Sequence, residues 1–287
     1  MKIVTDSAAD LPAAEAEALG VTVAPLFIIF PDGEVEASQL TPDQFYDRLE
    51  AMEPKIPTTA QPSVGVFSEL FQGISQAGQD ILSIHISSGL SGTVNSARLA
   101  AEQVTGKLVQ VVDSLSLSGG ERFQVLAAAR AVKAGWDKEA ILKRLEEIRL
   151  ATEVVYTLDT LTYLARGGRI GRVQSLASAL LNIKPIINVD KQDGKYNTVS
   201  KARTIKRAVT ALSDHLAALY PQETPVWASV VHGRLEAQAD ALSAQLKGRL
   251  NIGRMETLRI SPVLGVHTGP GIVGACVVPM HLLEDIV

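Results

Sequence analysis

The sequence lacks the residue patterns on which several common activities depend. It contains one cysteine, Cys276, so no disulfide can form within the chain, and its place in an apolar run predicts a buried side chain. There is no Walker-type phosphate loop and no Gly-x-Gly-x-x-Gly motif, and the five histidines are scattered without a His-Glu-x-x-His pattern. We therefore expect no metal and no cofactor.

Positive charge and long apolar runs are also scarce. The chain has 27 Lys and Arg against 31 Asp and Glu, whereas nucleic-acid binders usually carry a basic face. The longest apolar stretches, such as residues 21–30, are too short to cross a bilayer, and the first residues turn polar too early for a signal peptide. We expect a cytoplasmic protein with no nucleic-acid partner and no stable membrane insertion. A DNA-associated regulatory role is disfavoured for the same reason.

What the chain does contain is an alternation of strand-like and helical patterns over its 287 residues. Such alternation predicts an α/β fold with mainly parallel strand pairing. Residues 21–30 are predicted to form one strand, and a long helix is predicted from about Ala202 to Leu219. Because no linker or repeat marks a boundary, we place it near Leu150, which gives domains 1–150 and 151–287.

Three loops combine hydroxyl, glycine and proline residues beside a strand end or a helix start. They are residues 59–63, 87–93 and 265–271. Backbone N–H groups at helix starts favour a carboxylate or phosphate, and Gly92 allows close approach beside the hydroxyls of Ser91 and Thr93. Acidic residues and metal-ligand clusters, which most reactions require, are missing around these loops, so the pattern indicates binding. Ordinary helix caps and turns would explain any one loop alone.

A nucleophilic serine is the main alternative. Residues 89–93 resemble the Gly-x-Ser-x-Gly elbow of hydrolases in its strand–turn–helix context, although the last glycine is replaced by Thr93. A triad also needs a histidine base oriented by an acid. His267 follows Ser91 in chain order, but it lies in a predicted Gly/Pro loop without a neighbouring acid. A serine hydrolase that uses Ser91 and His267 therefore stays open.

Basic residues mark a fourth region. Arg166, Arg169 and Arg172 are evenly spaced among glycines, and Arg203 belongs to a later basic group. Such residues form either a solvated surface or a docking face for an anionic partner or a phosphate, which arginine binds in a bidentate manner.

Taken in order, these motifs resemble the DegV family of bacterial fatty-acid-binding proteins. The matching segments are residues 5–7, 10–12, 59–63, 87–93, 112–114, 163–170, 201–204 and 267–271. The combination spans the whole chain and is highly specific. One departure is Ala60, where the family usually has a serine, so a secondary hydroxyl contact is missing while Thr59 is retained.

The resemblance implies two α/β domains, with a mostly parallel sheet in the first, a mixed sheet in the second and a lipid pocket between them. It implies that Thr59 and Ser91 bind the carboxylate of a long-chain fatty acid such as palmitate or oleate, with His267, Gly92 and Thr93 close by. It also implies a non-catalytic carrier in fatty acid metabolism or lipid transport. A separate fatty acid kinase would phosphorylate the presented carboxylate, and Arg169 and Arg203 would contact that kinase or its phosphate.

Overall fold

The computed structural model describes residues 1–174 and 183–286. The strands are β1 (Lys2–Asp6), β2 (Thr22–Ala24), β3 (Phe27–Phe30), β4 (Gly33–Glu36), β5 (Thr58–Ala60), β6 (Ile81–His85), β7 (Val109–Asp113), β8 (Glu153–Leu158), β9 (Lys184–Val189), β10 (Tyr196–Ala202), β11 (Val226–His232), β12 (Ile252–Arg259) and β13 (Ile272–Pro279). The α-helices are α1 (Ala13–Leu19), α2 (Pro42–Ala51), α3 (Val64–Gln76), α4 (Thr93–Ala101), α5 (Ser118–Lys133), α6 (Lys138–Ala151), α7 (Thr162–Arg166), α8 (Ile205–Leu219), α9 (Glu236–Lys247), α10 (Pro262–Thr268) and α11 (His281–Glu284).

The first sheet has four parallel strands in the order β2-β1-β6-β7. Helices α3 and α4 cover one face, where Phe67 and Phe71 pack with Val4 and Ile81 in an apolar cluster. Helix α3 begins where its N-cap predicts, because Ser63 Oγ accepts a hydrogen bond from the Val66 N–H. The carboxyl ends of the parallel strands all meet at one edge, which is where open α/β sheets bind ligands.

A small antiparallel sheet, in the order β4-β3-β5, lies beside the first sheet. The single strand predicted over residues 21–30 is therefore wrong, because Pro25 and Leu26 separate β2 of the first sheet from β3 of the small one. Proline has no N–H to give to a ladder, so a change of sheet at this point is physically reasonable. The break brings β5, with Thr59, alongside β3.

The large sheet has six strands in the order β10-β9-β8-β13-β11-β12, and β11 with β12 is its parallel pair. Helices α8 and α9 cover its outer face. The predicted start of the long helix at Ala202 is wrong, because β10 continues through Ala202 and Thr204 caps α8 by accepting from the Arg207 N–H. A bulge between Thr198 and Ser200 interrupts the pairing of β10 with β9.

Helix α5 joins the two larger sheets, and nearly every residue of its first three turns is buried. Its Phe123 ring lies 5.3 Å from the Trp227 ring of β11, and Gly119 packs against Cys276 of β13, which is buried as predicted. A methyl group at position 119 would lie 2.6 Å from Cys276 Cβ, so glycine permits this close contact. The inner faces of both sheets thus share one core with α5.

This architecture confirms the predicted α/β class, with a parallel first sheet and a mixed second sheet. The mainly parallel pairing expected from the alternation of strands and helices is wrong, because six of the ten strand pairs in the described ranges are antiparallel. The boundary near Leu150 stays a prediction. Among the helices of the described ranges, none is long and apolar enough to cross a membrane.

Candidate functional site

A small cavity lies where the first sheet, the small sheet and α10 meet, and we call it the head cavity. Its volume is about 30 Å³, which is above the roughly 10–15 Å³ that a buried water molecule needs. Polar side chains of Thr59, Ser91, Arg169 and His267 line it. The remaining wall consists of Ala8, Leu26, Ile86, Leu90, Tyr196, Val263 and Leu264. Residues that are 208 positions apart in the chain therefore share one wall.

Thr59 and His267 contact each other directly in this wall. Thr59 lies in β5 opposite Ile28, and its Oγ1 is 2.8 Å from His267 Nε2. The prediction that His267 lies in a loop is wrong, because it belongs to α10, which begins at Pro262 and ends before Gly269 at a φ of 71°. The proline at the helix start and the glycine after its end are the expected terminal residues, so a short helix was readable there.

The imidazole of His267 is held neutral. Burial, with a further contribution from the positive charge of Arg169, lowers its pKa to about 4. Its Nδ1 is buried and has no hydrogen-bond partner among the described residues. Gly167 packs against this nitrogen so closely that a Cβ there would lie 2.3 Å from it. The ring is therefore fixed on one side by Thr59 and on the other by a glycine.

Ser91 lies in the loop between β6 and α4. Its Oγ is 2.9 Å from the Oγ1 of Thr93, which is fully buried and does not line the head cavity. The loop is tied to the hairpin between β9 and β10, because Ser87 Oγ donates to the Gly194 carbonyl at 2.9 Å. The predicted residues Ser91 and Thr93 thus differ in position: Ser91 lines the cavity and Thr93 supports it.

Gly92 does not line the head cavity either, but packs under the side chain of Gln61. A Cβ at position 92 would lie 2.4 Å from Gln61 Oε1, and the Gln61 amide donates to Ser96 Oγ at 3.0 Å. The glycine therefore lets the loop after β5 rest on the start of α4. Gln61 was part of the predicted motif, but its packing role could not be read from the sequence.

Outside the head cavity lies an open surface cleft of about 430 Å³. Its wall includes Gly92, Asn95, Lys195 and Arg169, and Arg169 also lines the head cavity. The Arg169 guanidinium donates to the carbonyls of Leu90 and Gly167, so it stands between the two spaces. Arg203, in contrast, is exposed between β10 and α8 and lines neither of them.

A second buried space, the tail cavity, lies between the inner face of the large sheet, the start of α5, and α10. Its volume is about 10 Å³, and it shares Tyr196 and Leu264 with the head cavity. The wall is mostly apolar and consists of Leu117, Ser118, Val154, Val155, Tyr156, Tyr196, Val231, Ile260, Leu264, Thr268, Ile272, Ala275 and Cys276. None of the sequence motifs identified this set, because aliphatic residues line many other parts of the core.

The geometry gives little support to a Ser91–His267 nucleophile. Among the described residues, the hydrogen-bond partner of His267 is Thr59, and no carboxylate orients its free nitrogen. A catalytic base works best with a pKa near the operating pH, and the pKa of His267 is about 4. The Ser91 hydroxyl is engaged by Thr93.

Comparison with known sequences places the chain in a described group. The family model "Uncharacterised protein, DegV family" matches residues 1–280. A DegV domain-containing protein of Clostridium acetobutylicum is 34% identical over 278 residues, which cover 96% of this chain and 97% of the relative. Another from Deinococcus radiodurans is 36% identical over 283 residues, covering 97% and 98%.

Solved structures agree with the sequence match. A DegV family protein from Thermus thermophilus, described for its fatty acid binding, superposes with a TM-score of 0.90 at 32% identity, covering 97% of this chain and 99% of that one. DegV of Bacillus subtilis, described as a fatty acid binding protein, gives 0.88 at 29% identity, covering 97% and 98%. Because the family model matches residues 1–280 of this chain, the chain belongs to the DegV family.

Proposed function

We propose that this protein binds one long-chain fatty acid, such as palmitate or oleate, and presents its carboxylate to a separate kinase. The observation that carries the proposal is the shared wall of Thr59, Ser91 and His267, which continues through Tyr196 and Leu264 into an apolar cavity. The family members from Thermus thermophilus and Bacillus subtilis, described as binding fatty acids, support the same assignment.

The head cavity suits a carboxylate that must remain reactive. Burying an unpaired carboxylate is costly, so hydrogen-bond donors are needed. The hydroxyls of Thr59 and Ser91 can donate, and the Arg169 guanidinium adds positive charge from the cavity wall. The Arg169 guanidinium is directed to the carbonyls of Leu90 and Gly167, which accept from its Nε and Nη1. In the proposal the carboxylate is therefore held mainly by the neutral hydroxyls of Thr59 and Ser91, and its oxygens stay available for attack on a phosphoryl group.

The tail cavity suits an acyl chain after its walls move. Its volume of about 10 Å³ is too small for a long chain, so Tyr196 and Leu264, which separate the two cavities, have to change position on binding. Each buried methylene contributes about 0.8 kcal/mol, which for a long chain gives on the order of ten kcal/mol before ordering costs. That gain is sufficient to offset local repacking of two side chains.

The surface cleft is the place for the kinase to reach the carboxylate. It opens beside Ser91 and is bordered by Arg169, Lys195 and the first turn of α4. Positive charge and free N–H groups at a helix start both favour a phosphate. Arg203 is exposed and lines neither the two cavities nor the surface cleft, so its role in the proposal is contact with the kinase itself. Catalysis then belongs to the partner.

Fatty-acid binding is tested by extraction of the purified protein and mass spectrometry, followed by titration of delipidated protein with labelled palmitate. We expect stoichiometric binding, weakened at least about tenfold in Thr59→Val, which removes one hydroxyl and keeps the shape. A matched control is Thr210→Val, a half-buried threonine on α8 that lines neither cavity. No acyl ligand and no uptake of palmitate would refute the proposal.

The kinase step is tested separately with a purified fatty acid kinase catalytic subunit, ATP and the palmitate-loaded protein, and with trapping of the acyl-phosphate by hydroxylamine. We expect Arg203→Gln to bind palmitate normally but to lose most acyl-phosphate formation. Arg207→Gln, in the exposed first turn of α8, is the control for general loss of positive charge. Equal turnover of Arg203→Gln and the unmodified protein would remove Arg203 from the contact.

A further inference from the structure

Two phenol rings lie in the mostly apolar wall of the tail cavity. Tyr156 lies on β8 opposite Gly274 of β13, and Tyr196 is the first residue of β10. Their ring centroids are 5.7 Å apart with the planes at 85°, and the side chains are 3% and 5% exposed. Because Tyr196 also lines the head cavity, Tyr156 lies one ring farther along the path from the carboxylate end.

The hydroxyl of Tyr156 has no hydrogen-bond partner among the described residues. Burial, with a smaller effect of the nearby Tyr196 phenol, raises its pKa well above the usual value, but the two oxygens do not meet hydrogen-bond geometry. Tyr220 of the same domain shows the usual arrangement, with its hydroxyl 2.9 Å from the Ala151 carbonyl and 2.7 Å from that of Val277. An unpaired buried hydroxyl is unfavourable. Tyr46 also has one, but Tyr156 is the residue of this kind in the described wall of the tail cavity.

The other small polar groups in this wall are engaged. Ser118 Oγ donates to the Asp10 carboxylate, and Thr268 Oγ1 donates to the Leu264 carbonyl at 3.1 Å. A cavity of about 10 Å³ is at the lower limit for a water molecule, which also needs two or more polar partners. A polar atom carried by the ligand itself is therefore the partner that fits best.

We propose that the tail cavity selects a fatty acid with a hydroxyl group part-way along its chain, and that this hydroxyl pairs with the hydroxyl of Tyr156. The inference rests on the proposed fatty-acid binding and adds the ligand class. A plain hydrocarbon chain leaves the phenol unpaired in the complex, whereas a chain hydroxyl at the matching carbon satisfies it. Because Tyr156 occupies one place in the wall, only a hydroxyl on a narrow part of the chain can reach it.

The experiment compares stearate with a series of stearates that each carry one mid-chain hydroxyl, using delipidated full-length protein and calorimetric titration. We expect one isomer to bind about tenfold more tightly than its neighbours in the series, which corresponds to about 1.4 kcal/mol. In Tyr156→Phe, this preference should disappear while stearate binds at least as tightly as before. In Tyr220→Phe, which removes a paired hydroxyl outside both cavities, the preference should remain.

The outcomes separate the two proposals. Stearate binding with the same order of isomers in the unmodified protein and in Tyr156→Phe overturns the selection for a hydroxyl and leaves fatty-acid binding intact. Failure of the unmodified protein to bind stearate or any isomer overturns both. Loss of the preference in Tyr220→Phe as well would assign it to general loosening of the domain rather than to the Tyr156 hydroxyl.

Discussion

Two buried histidines differ in how completely their rings are hydrogen-bonded. His85, on β6, is fully buried, with Ser83 Oγ 2.7 Å from its Nε2 and Asp6 Oδ2 3.0 Å from its Nδ1. His267 has Thr59 on one nitrogen and no partner among the described residues on the other. Both ring nitrogens of His85 are therefore hydrogen-bonded, whereas one ring nitrogen of His267 is not. His267, the histidine with the free nitrogen, lines a cavity.

The order Ser83–His85–Asp6 is also that of a hydrolase triad, yet all three side chains are almost completely buried. The same Asp6 carboxylate accepts from the N–H groups of Ala8 and Ile86. This triad-like set of hydrogen bonds is therefore not evidence of catalysis, because a substrate must be able to reach the nucleophile. The sealed network stabilises the strand ends that lead into the Ser91 loop.

The largest effect is expected from breaking the sealed network. Asp6→Ala leaves the His85 ring and two backbone N–H groups without their acceptor, at about 1–3 kcal/mol each. We expect the free energy of unfolding, measured in urea, to fall by at least about 3 kcal/mol. Asp6→Asn keeps one acceptor oxygen and should lose less. A fall below about 1 kcal/mol in Asp6→Ala would show that the network contributes little to stability.

The imidazole of His267, which lines the head cavity, should instead affect how the free energy of unfolding depends on pH. The pKa of His267 is about 4 in the folded protein and near 6.5 in the unfolded chain, so the unfolded chain binds the proton first as pH falls. The stability that the neutral His267 contributes is thus complete above pH 6.5 and is lost as the pH falls towards 4. The free energy of unfolding then decreases by up to about 1.4 kcal/mol per pH unit.

The measurement is the difference in unfolding free energy between the unmodified protein and His267→Gln at several pH values. Other titrating groups, including His232, whose pKa burial also lowers, cancel in this difference. We expect the difference to change across the window between pH 4 and 6.5 and to be constant above it. Parallel curves through the whole range would contradict a neutral buried imidazole.

Local chemistry made parts of this structure readable from the sequence. The helix cap at Ser63 and the strand–loop–helix around Ser91 depend on neighbours within a few residues, so the pattern determines them. The single strand over residues 21–30 and the start of α8 were predicted wrongly, because sheet pairing, rather than local preference, decides where β2 stops and where β10 continues.

In the candidate site, too, local sequence identifies some features and tertiary contacts determine the others. Thr59, Ser91 and His267 are singled out by loops of similar composition and by the family resemblance, but their meeting depends on contacts across more than 200 positions. The wall residues Tyr196 and Leu264 could not be chosen, since their side chains resemble many others in the core. Their role follows from where β10 and α10 pass each other.

The smallest effect, and the sharpest test of the cavity histidine, comes from two adjacent glycines. Gly167 has an ordinary φ of −74°, but a Cβ there would lie 2.3 Å from His267 Nδ1. Gly168 has a φ of 71° and nothing within 4 Å of its Cβ position. Gly167→Ala should therefore displace the imidazole from Thr59 and weaken palmitate binding about tenfold, which is about 1.4 kcal/mol.

Gly168→Ala serves as the matched control, because it strains the backbone without touching the ring. It should lower the unfolding free energy by about 1 kcal/mol and leave palmitate affinity unchanged. The contrast is measured by calorimetric titration and urea unfolding of both variants. If both substitutions weakened palmitate binding equally, the effect would belong to the turn after α7 and not to the histidine. A selective loss in Gly167→Ala would show that carboxylate binding requires the imidazole in its place beside Thr59.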